Sequence, residues 1–172
     1  RKTGYWRVWI EDTNQPGKAR FCLSTNNLAV ATSGNYQRFF KLNGRHYGHL
    51  LDHRTGYPTT SSYLSASVIA NTCLEAGILS TSSLLDGNQS GLRIIENFFG
   101  AEGCIWTNDG LAWTKNFGEY IDSKWIIYIL LNYSLPYLRC FQLDVLQRSR
   151  SLRWIGLSTL ITSWKVIAIL WR

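Results

Sequence analysis

A chain of 172 residues, 45% of them hydrophobic, is long enough for one domain with a real core. Its formal charge of +7 is scattered, with 11 Lys/Arg against 8 Asp/Glu in residues 1–118 and 7 against 3 in residues 119–172. The dense basic face of a nucleic-acid binder is therefore missing, whereas a basic tail mixed with apolar runs suits a membrane surface better. Cys22, Cys73, Cys104 and Cys140 form no C-x-x-C pair and have no His at metal-ligand spacing, which argues against a zinc site or a thioredoxin-like motif. Buried free thiols are the default expectation for them.

In chain order, Tyr5 to Ile10 alternates, with Trp6, Val8 and Ile10 on one face, as a half-buried strand does. Asp12 to Lys18 contains Asn14, Pro16 and Gly17 and reads as a loop. Ala19–Ser24 and Leu28–Thr32 are predicted strands, the second running into a turn at Ser33-Gly34. Gln37–Leu42 and Arg45–Leu51, separated by Asn43-Gly44, predict a type I′ hairpin that carries His49 to its far end. There His49-Leu50-Leu51-Asp52-His53-Arg54-Thr55-Gly56-Tyr57-Pro58 gathers polar groups where a strand ends and the chain bends.

Ser65–Ala70 is a further predicted strand. Thr72 and Glu75 have the spacing of a capping box for a helix running to about Asp86 and stopping at Gly87. Along it Leu74, Ile78, Thr81 and Leu85 share one side, while Ala76, Gly77, Ser80 and Ser83 keep the others small. Ser90–Phe99 reads as a second amphipathic helix with Leu92, Ile95 and Phe99 inward, and Cys104–Thr107 and Leu111–Thr114 as a closing hairpin around Asn108-Asp109-Gly110. Hairpin-paired strands with a few helices imply an α+β domain built on mainly antiparallel sheet. Past Phe117 the character changes. Trp125–Leu138 is apolar, and Trp154–Trp171 is an 18-residue run with the single charge Lys165. These runs define an apolar helical tail over 119–172: a membrane-associating extension, a fused segment, or read-through in a wrong frame.

Three stretches in register, Ala31-Thr32-Ser33-Gly34-Asn35-Tyr36, then His49 to Gly56, then Leu79-Ser80-Thr81, resemble the ApbE family of FAD:protein FMN transferases. The family pattern is Thr-Ser-Gly-Asp/Asn-Tyr, His-Ile-Ile-Asp-Pro-Arg-Thr-Gly and a helix with Ala-Asp-Ala-Leu-Ser/Ala-Thr. The resemblance runs from about Trp6 to about Phe117 and implies that residues 1–118 are the C-terminal half of such a domain, with the true start expected upstream. It also implies magnesium-dependent transfer of FMN from FAD to a Thr hydroxyl of an acceptor flavoprotein, at the periplasmic face of a bacterial inner membrane. By the same resemblance His49 handles the proton or orients the acceptor, as imidazole chemistry allows. Asp52 and Thr55 organise the loop ending at Gly56, and Arg54 either meets phosphate or pairs only with Asp52. Thr32, Ser33 and Gly34 lie by the flavin, and Thr81 is a metal ligand. The chain departs from the pattern at His53, where Pro is usual, and at Gly77, where the helix's Asp is expected four residues before Thr81. The latter departure opens the alternative of a non-catalytic flavin-binding homologue.

Overall fold

The computed structural model describes residues 4–59, 62–86, 90–122 and 124. Their strands are β1 (Trp6–Glu11), β2 (Ala19–Thr25), β3 (Ala29–Gly34), β4 (Phe39–Leu42), β5 (Arg45–Gly48), β6 (Tyr63–Ala70), β7 (Glu102–Thr107) and β8 (Gly110–Trp113). The helices are α1 (Cys73–Asp86) and α2 (Gly91–Glu96), followed by a 3-10 turn at Phe117–Tyr120. Every strand pair is antiparallel: a central sheet ordered β3-β6-β7-β8 and the two hairpins β1-β2 and β4-β5. The α+β expectation is met over these residues. The apolar tail lies outside them from residue 125 onward, and no helix of the described residues is long and apolar enough to cross a membrane.

Strand β6 explains the layering. Its sequence alternates between two buried faces, so each side of the sheet must be covered. Ala66, Val68 and Ala70 pack with Ala76, Leu79 and Leu84 of α1 and Ile95 of α2. Ile69, with Cys104 of β7, packs with Ile10, Phe21 and Leu23 of the β1-β2 hairpin and with Phe117 and Ile121. The alanines on the helix side let α1 lie close on β3 and β6. Packing continues past residue 118, because Ile121 is buried, the Asp122 N–H donates to the Cys22 carbonyl at 2.8 Å, and Asp122 pairs with Arg7 at 2.7 Å. Burial keeps the Cys104 thiol protonated by pushing its pKa up to about 12, and Cys22 and Cys104 are buried free thiols as expected while Cys73 is exposed.

Local signals account for the element ends. Thr72 and Glu75 form the reciprocal capping box, with the Glu75 N–H donating to Thr72 Oγ1 at 3.2 Å and the Thr72 N–H to the Glu75 carboxylate at 2.9 Å. Asn43 and Gly44 both have positive φ, 49° and 76°, as a type I′ turn requires. Three expectations are corrected. Trp6 is 73% exposed at the strand's open end, so only Val8 and Ile10 of its face turn inward. The second helix stops at Glu96; a tight turn from Ile95 to Ala101 then lifts Phe99 to 95% exposure. Strand β3 continues through Ser33 and Gly34, which pair with Ala66 and Ser65, so the expected turn begins only at Asn35.

Candidate functional site

The extension of β3 decides how the Thr32-Ser33-Gly34 segment works. Successive strand residues point to opposite faces, so Thr32 and Ser33 separate. Thr32 Oγ1 bonds to Ser67 Oγ at 2.8 Å on the hairpin side of the sheet. Ser33 turns toward α1, where its Oγ lies 2.8 Å from Ser80 Oγ and 2.9 Å from Thr81 Oγ1. Gly34 has no positive φ; it is needed because a Cβ there would sit 2.8 Å from the Tyr36 ring. The Tyr36 phenol in turn donates to Glu11, whose other oxygen accepts the Gly17 N–H at 2.7 Å, so the end of β3 is tied to the β1-β2 hairpin. Burial, followed by the Glu11 carboxylate, pushes the Tyr36 pKa up to about 12.

The proton direction along the α1 hydroxyls follows from counting. Each hydroxyl has one proton and two lone pairs. Ser80 donates its proton to the Gly77 carbonyl at 3.1 Å. It therefore accepts from Ser33, Ser33's only proton is used, and Thr81 must donate to Ser33. The relay runs Thr81 to Ser33 to Ser80 to the Gly77 carbonyl, with Ser80 fully buried and Gly77 and Thr81 partly exposed. Thr81 Oγ1 is left as an acceptor with its lone pairs unspent. Nothing lies within 4 Å of where a Gly77 Cβ would be, so the surface one helical turn before Thr81 is open.

Gly48 brings the β4-β5 hairpin against this end of the sheet: a Cβ there would overlap the side-chain amide of Asn35, the residue after Gly34. His49 comes next and is exposed; its backbone N–H and its Nδ1 both lie 3.2 Å from the Arg38 carbonyl oxygen. A carbonyl can only accept, so the neutral ring carries its proton on Nδ1 and presents Nε2 as a base. Leu50 packs into the helix-side core and anchors the start of the next loop.

The loop Asp52–Tyr57 closes on itself. Asp52 and Tyr57 are joined by backbone, Gly56 takes φ +72°, and the Gly56 N–H donates to the Asp52 carbonyl at 2.8 Å. Thr55 Oγ1 accepts the Tyr57 N–H at 3.3 Å. Asp52 grips Arg54 three times, accepting its backbone N–H at 2.9 Å and its Nε and Nη2 at 3.0 and 2.9 Å. These Arg54 bonds hold the Asp52 carboxyl down at about 2. Arg54 thus pairs with Asp52, the second of its two expected roles, though its remaining N–H donors stay on an exposed side chain. Ser33 with Thr81, and Asp52 with Arg54, are brought together; His49 makes no hydrogen bond to either pair. Ser80, Tyr36, Glu11 and the Arg38 carbonyl complete the site and were not among the expected site residues. Tyr36 closes the Thr-Ser-Gly-Asn-Tyr motif and Ser80 lies inside Leu79-Ser80-Thr81, so both could have been singled out there, while Glu11 and the Arg38 carbonyl join distant segments and leave no mark in sequence.

The metal implied by the family does not fit this donor set. Beside Thr81 the structure offers neutral hydroxyls whose protons are spent on one another and a carbonyl already accepting from Ser80. A magnesium ion calls for carboxylate oxygen in near-octahedral arrangement. Among the described residues no cluster of three His, Cys, Asp or Glu side chains could hold an ion.

An antiparallel α+β domain that carries a loop-borne His-Asp-Arg segment and, between β3 and α1, a hydroxyl cluster is the class of protein these features define. The ApbE family model matches residues 1–105, and the chain belongs to the ApbE family. It is 29% identical over 121 residues to the FAD:protein FMN transferase of Vibrio cholerae serotype O1, covering 69% of this chain and 34% of the relative. It is 32% identical over 93 residues to the Haemophilus influenzae FAD:protein FMN transferase, covering 53% and 27%. The crystal structure of the ApbE protein from Thermotoga maritima superposes with a TM-score of 0.62 at 27% identity, covering 70% of this chain and 39% of that one. The chain therefore spans about a quarter to a third of the length of the curated relatives it matches.

Proposed function

We propose that this site belongs to an FAD:protein FMN transferase, which moves the FMN moiety of FAD onto a Thr hydroxyl of an acceptor flavoprotein and releases AMP. The names of the relatives support the reaction, and one observation supports the site: His49 Nδ1 lies 3.2 Å from the Arg38 carbonyl oxygen, which in the neutral ring leaves Nε2 of this exposed side chain as the nitrogen able to take a proton. The acceptor hydroxyl oxygen attacks the phosphorus of the FMN half. Its proton passes to His49 Nε2, the bond from that phosphorus to the bridging oxygen breaks, and AMP leaves with the electron pair. The Asp52–Tyr57 loop offers spare Arg54 donors to phosphate oxygens, but the Asp52-Arg54 pair is neutral as a whole and does little to neutralise a pyrophosphate. The magnesium that the resemblance implies has no fitting donors beside Thr81, and no step here runs through it. Localisation at the periplasmic face of a bacterial inner membrane is part of the same proposal.

Residues 1–172 cover only part of the domain that the relatives span and offer no carboxylate beside Thr81 to neutralise phosphate charge through an ion, so on their own they are expected to transfer no FMN. The second reading, a homologue that binds flavin without transfer, is favoured by Gly77. The test takes this chain completed by the upstream half of the domain, mixes it with FAD, magnesium and a Thr-containing acceptor protein, and looks for covalent flavin by in-gel fluorescence and mass spectrometry. The expected result is no transfer by the wild type, transfer by Gly77→Asp, and loss of that transfer in Gly77→Asp/His49→Ala. Transfer by the wild type would refute the charge argument. No gain in Gly77→Asp leaves flavin binding as the surviving function.

A further inference from the structure

We propose that the β4-β5 hairpin docks the acceptor protein: an extended acidic segment of the acceptor adds as a third strand along β5, sets its Thr beside His49, and lays an apolar side chain two residues away on Tyr47 and Phe40. That the partner is the acceptor rests on the transferase reading, while the surface itself is read from the hairpin. The register pairs Phe40 with Tyr47 and Leu42 with Arg45, and the His49 N–H continues it to the Arg38 carbonyl at 3.2 Å. With the strand period of two, Arg38, Phe40, Leu42, Tyr47 and His49 line one face. On that face the Phe40 and Tyr47 rings stack with centroids 5.3 Å apart, and Phe40 and Leu42 are 50% and 55% exposed. The opposite face is covered at its base, where Gly48 lies against the Asn35 amide. An exposed apolar strip thus runs from the hairpin tip to His49.

Two features select the occupant. β4 and β5 form a two-stranded sheet, so no strand of the described residues pairs with the other edge of β5. In an antiparallel ladder, hydrogen-bonded pairs alternate with open ones, and the His49–Arg38 bond fixes the phase. The N–H and C=O groups of His46 and Gly48 therefore point away from β4. An extended peptide pairs with such groups, whereas lipid tails do not. A strand bonded there sets two of its residues opposite Tyr47 and His49 in open pairs, with Cα atoms about 4.5 Å away and side chains on the same face. The one opposite His49 is the Thr whose hydroxyl proton the imidazole takes, and the other, two positions off, meets the aromatic stack. Charge is the second feature. Residues 36–51 hold Arg38, Lys41 and Arg45 and no Asp or Glu, so acidic flanks are attracted to the hairpin and basic ones repelled.

The experiment uses the chain completed by the upstream half of the domain, without FAD, magnesium or acceptor protein, and follows the fluorescence anisotropy of fluorescein-labelled peptides. The first peptide has one Thr, a Leu two residues to either side of it, and Asp at both ends. The second has the same composition with each Leu moved next to the Thr, and the third has Lys ends. The variants are Phe40→Ser, at a half-exposed position, and His46→Pro, which removes an outward N–H from an edge strand that tolerates proline; each is checked for a native circular dichroism spectrum. The expected result is saturable binding of the first peptide by the wild type, with the other two peptides bound about 10-fold more weakly. Phe40→Ser and His46→Pro should each weaken the first peptide by about 10-fold, the scale of losing an interface anchor. A wild type that binds no peptide overturns the proposal, and that arm needs no variant to fold. Unchanged binding in either folded variant, or equal binding of the Lys-ended peptide, overturns it too. Sedimentation with phosphatidylserine vesicles that is lost in Phe40→Ser, with no peptide bound, overturns it in favour of a lipid surface. Peptide binding is read without transfer, so flavin transfer to a whole acceptor by a chain that binds no peptide refutes this docking alone, and peptide binding by a chain that transfers nothing supports it while the reaction fails.

Discussion

Replacing Ser33 with Ala removes the middle of the Thr81-Ser33-Ser80 relay and tests the packing of α1 on β3. Two neutral hydrogen bonds are lost, at 2.8 and 2.9 Å. Ser80 keeps its donation to the Gly77 carbonyl, so its buried hydroxyl loses only an incoming bond. Thr81 is partly exposed and recovers a partner from water. At roughly 1 kcal/mol net per bond, discounted for that recovery, the cost is about 1–2 kcal/mol. In urea, where the denaturant slope of a small domain is about 1–3 kcal/mol per molar, the midpoint should fall by roughly 0.5–1 M with the slope unchanged. The same substitution in a Thr81→Val background should cost less, because one of the two bonds is already gone, and the difference is the coupling between the two hydroxyls. An equal cost in both backgrounds, or no midpoint shift at all, would refute the relay and with it the assigned direction of the Thr81 proton.

Two further outcomes rest on contacts near the site. Gly48→Ala drives a methyl into the Asn35 side-chain amide without any demand for positive φ; overpacking of this kind costs about 1–3 kcal/mol, which thermal unfolding should register and which Asn35→Ala should relieve. An unchanged melting temperature in Gly48→Ala would show that the hairpin end is not seated on Asn35. Tyr36, with its pKa raised from 10.0 to about 12, favours its protonated form in the folded state. Its contribution to stability is therefore complete below pH 10 and is lost as pH rises toward about 12. The tyrosinate absorbance difference between wild type and Tyr36→Phe should report that late titration, and Glu11→Gln should shift it downward while burial keeps it above the ordinary value. A Tyr36 that ionises with the exposed tyrosines would contradict the bond to Glu11.

What could be read from the sequence is what local chemistry decides. The Asn43-Gly44 turn and the Thr72-Glu75 box need only their own few residues, and both form as expected. Asp52 and Arg54, two positions apart, make the pair that was one of two open roles for Arg54. The antiparallel α+β class came from the same hairpin signals. The helix stripe was less informative. Leu74 and Ile78 are 72% and 55% exposed, and α1 buries its small residues together with Leu79 and Leu84 instead. An alanine-lined sheet takes small side chains at the closest approach, a preference set by β6 rather than by the helix.

The end of β3 was misplaced for the same reason. Whether Ser33-Gly34 is a turn or a strand depends on whether Ala66 and Ser65 lie beside it, a partner some thirty residues away along the chain. Once the strand continues, Thr32 and Ser33 must face opposite sides, and the motif divides into one hydroxyl that bonds Ser67 and another that bonds Thr81. Along the chain Ser33, Ser80 and Thr81 are three interchangeable hydroxyls. Only their meeting around one carbonyl lets the protons be counted, and that count makes Thr81 an acceptor. An acceptor beside an open Gly77 cannot donate to a phosphate, and no carboxylate stands beside it to hold a cation. The departure at position 77 therefore bears on the charge beside Thr81, while His49 keeps its bond to the Arg38 carbonyl and the Asp52–Tyr57 loop closes on itself.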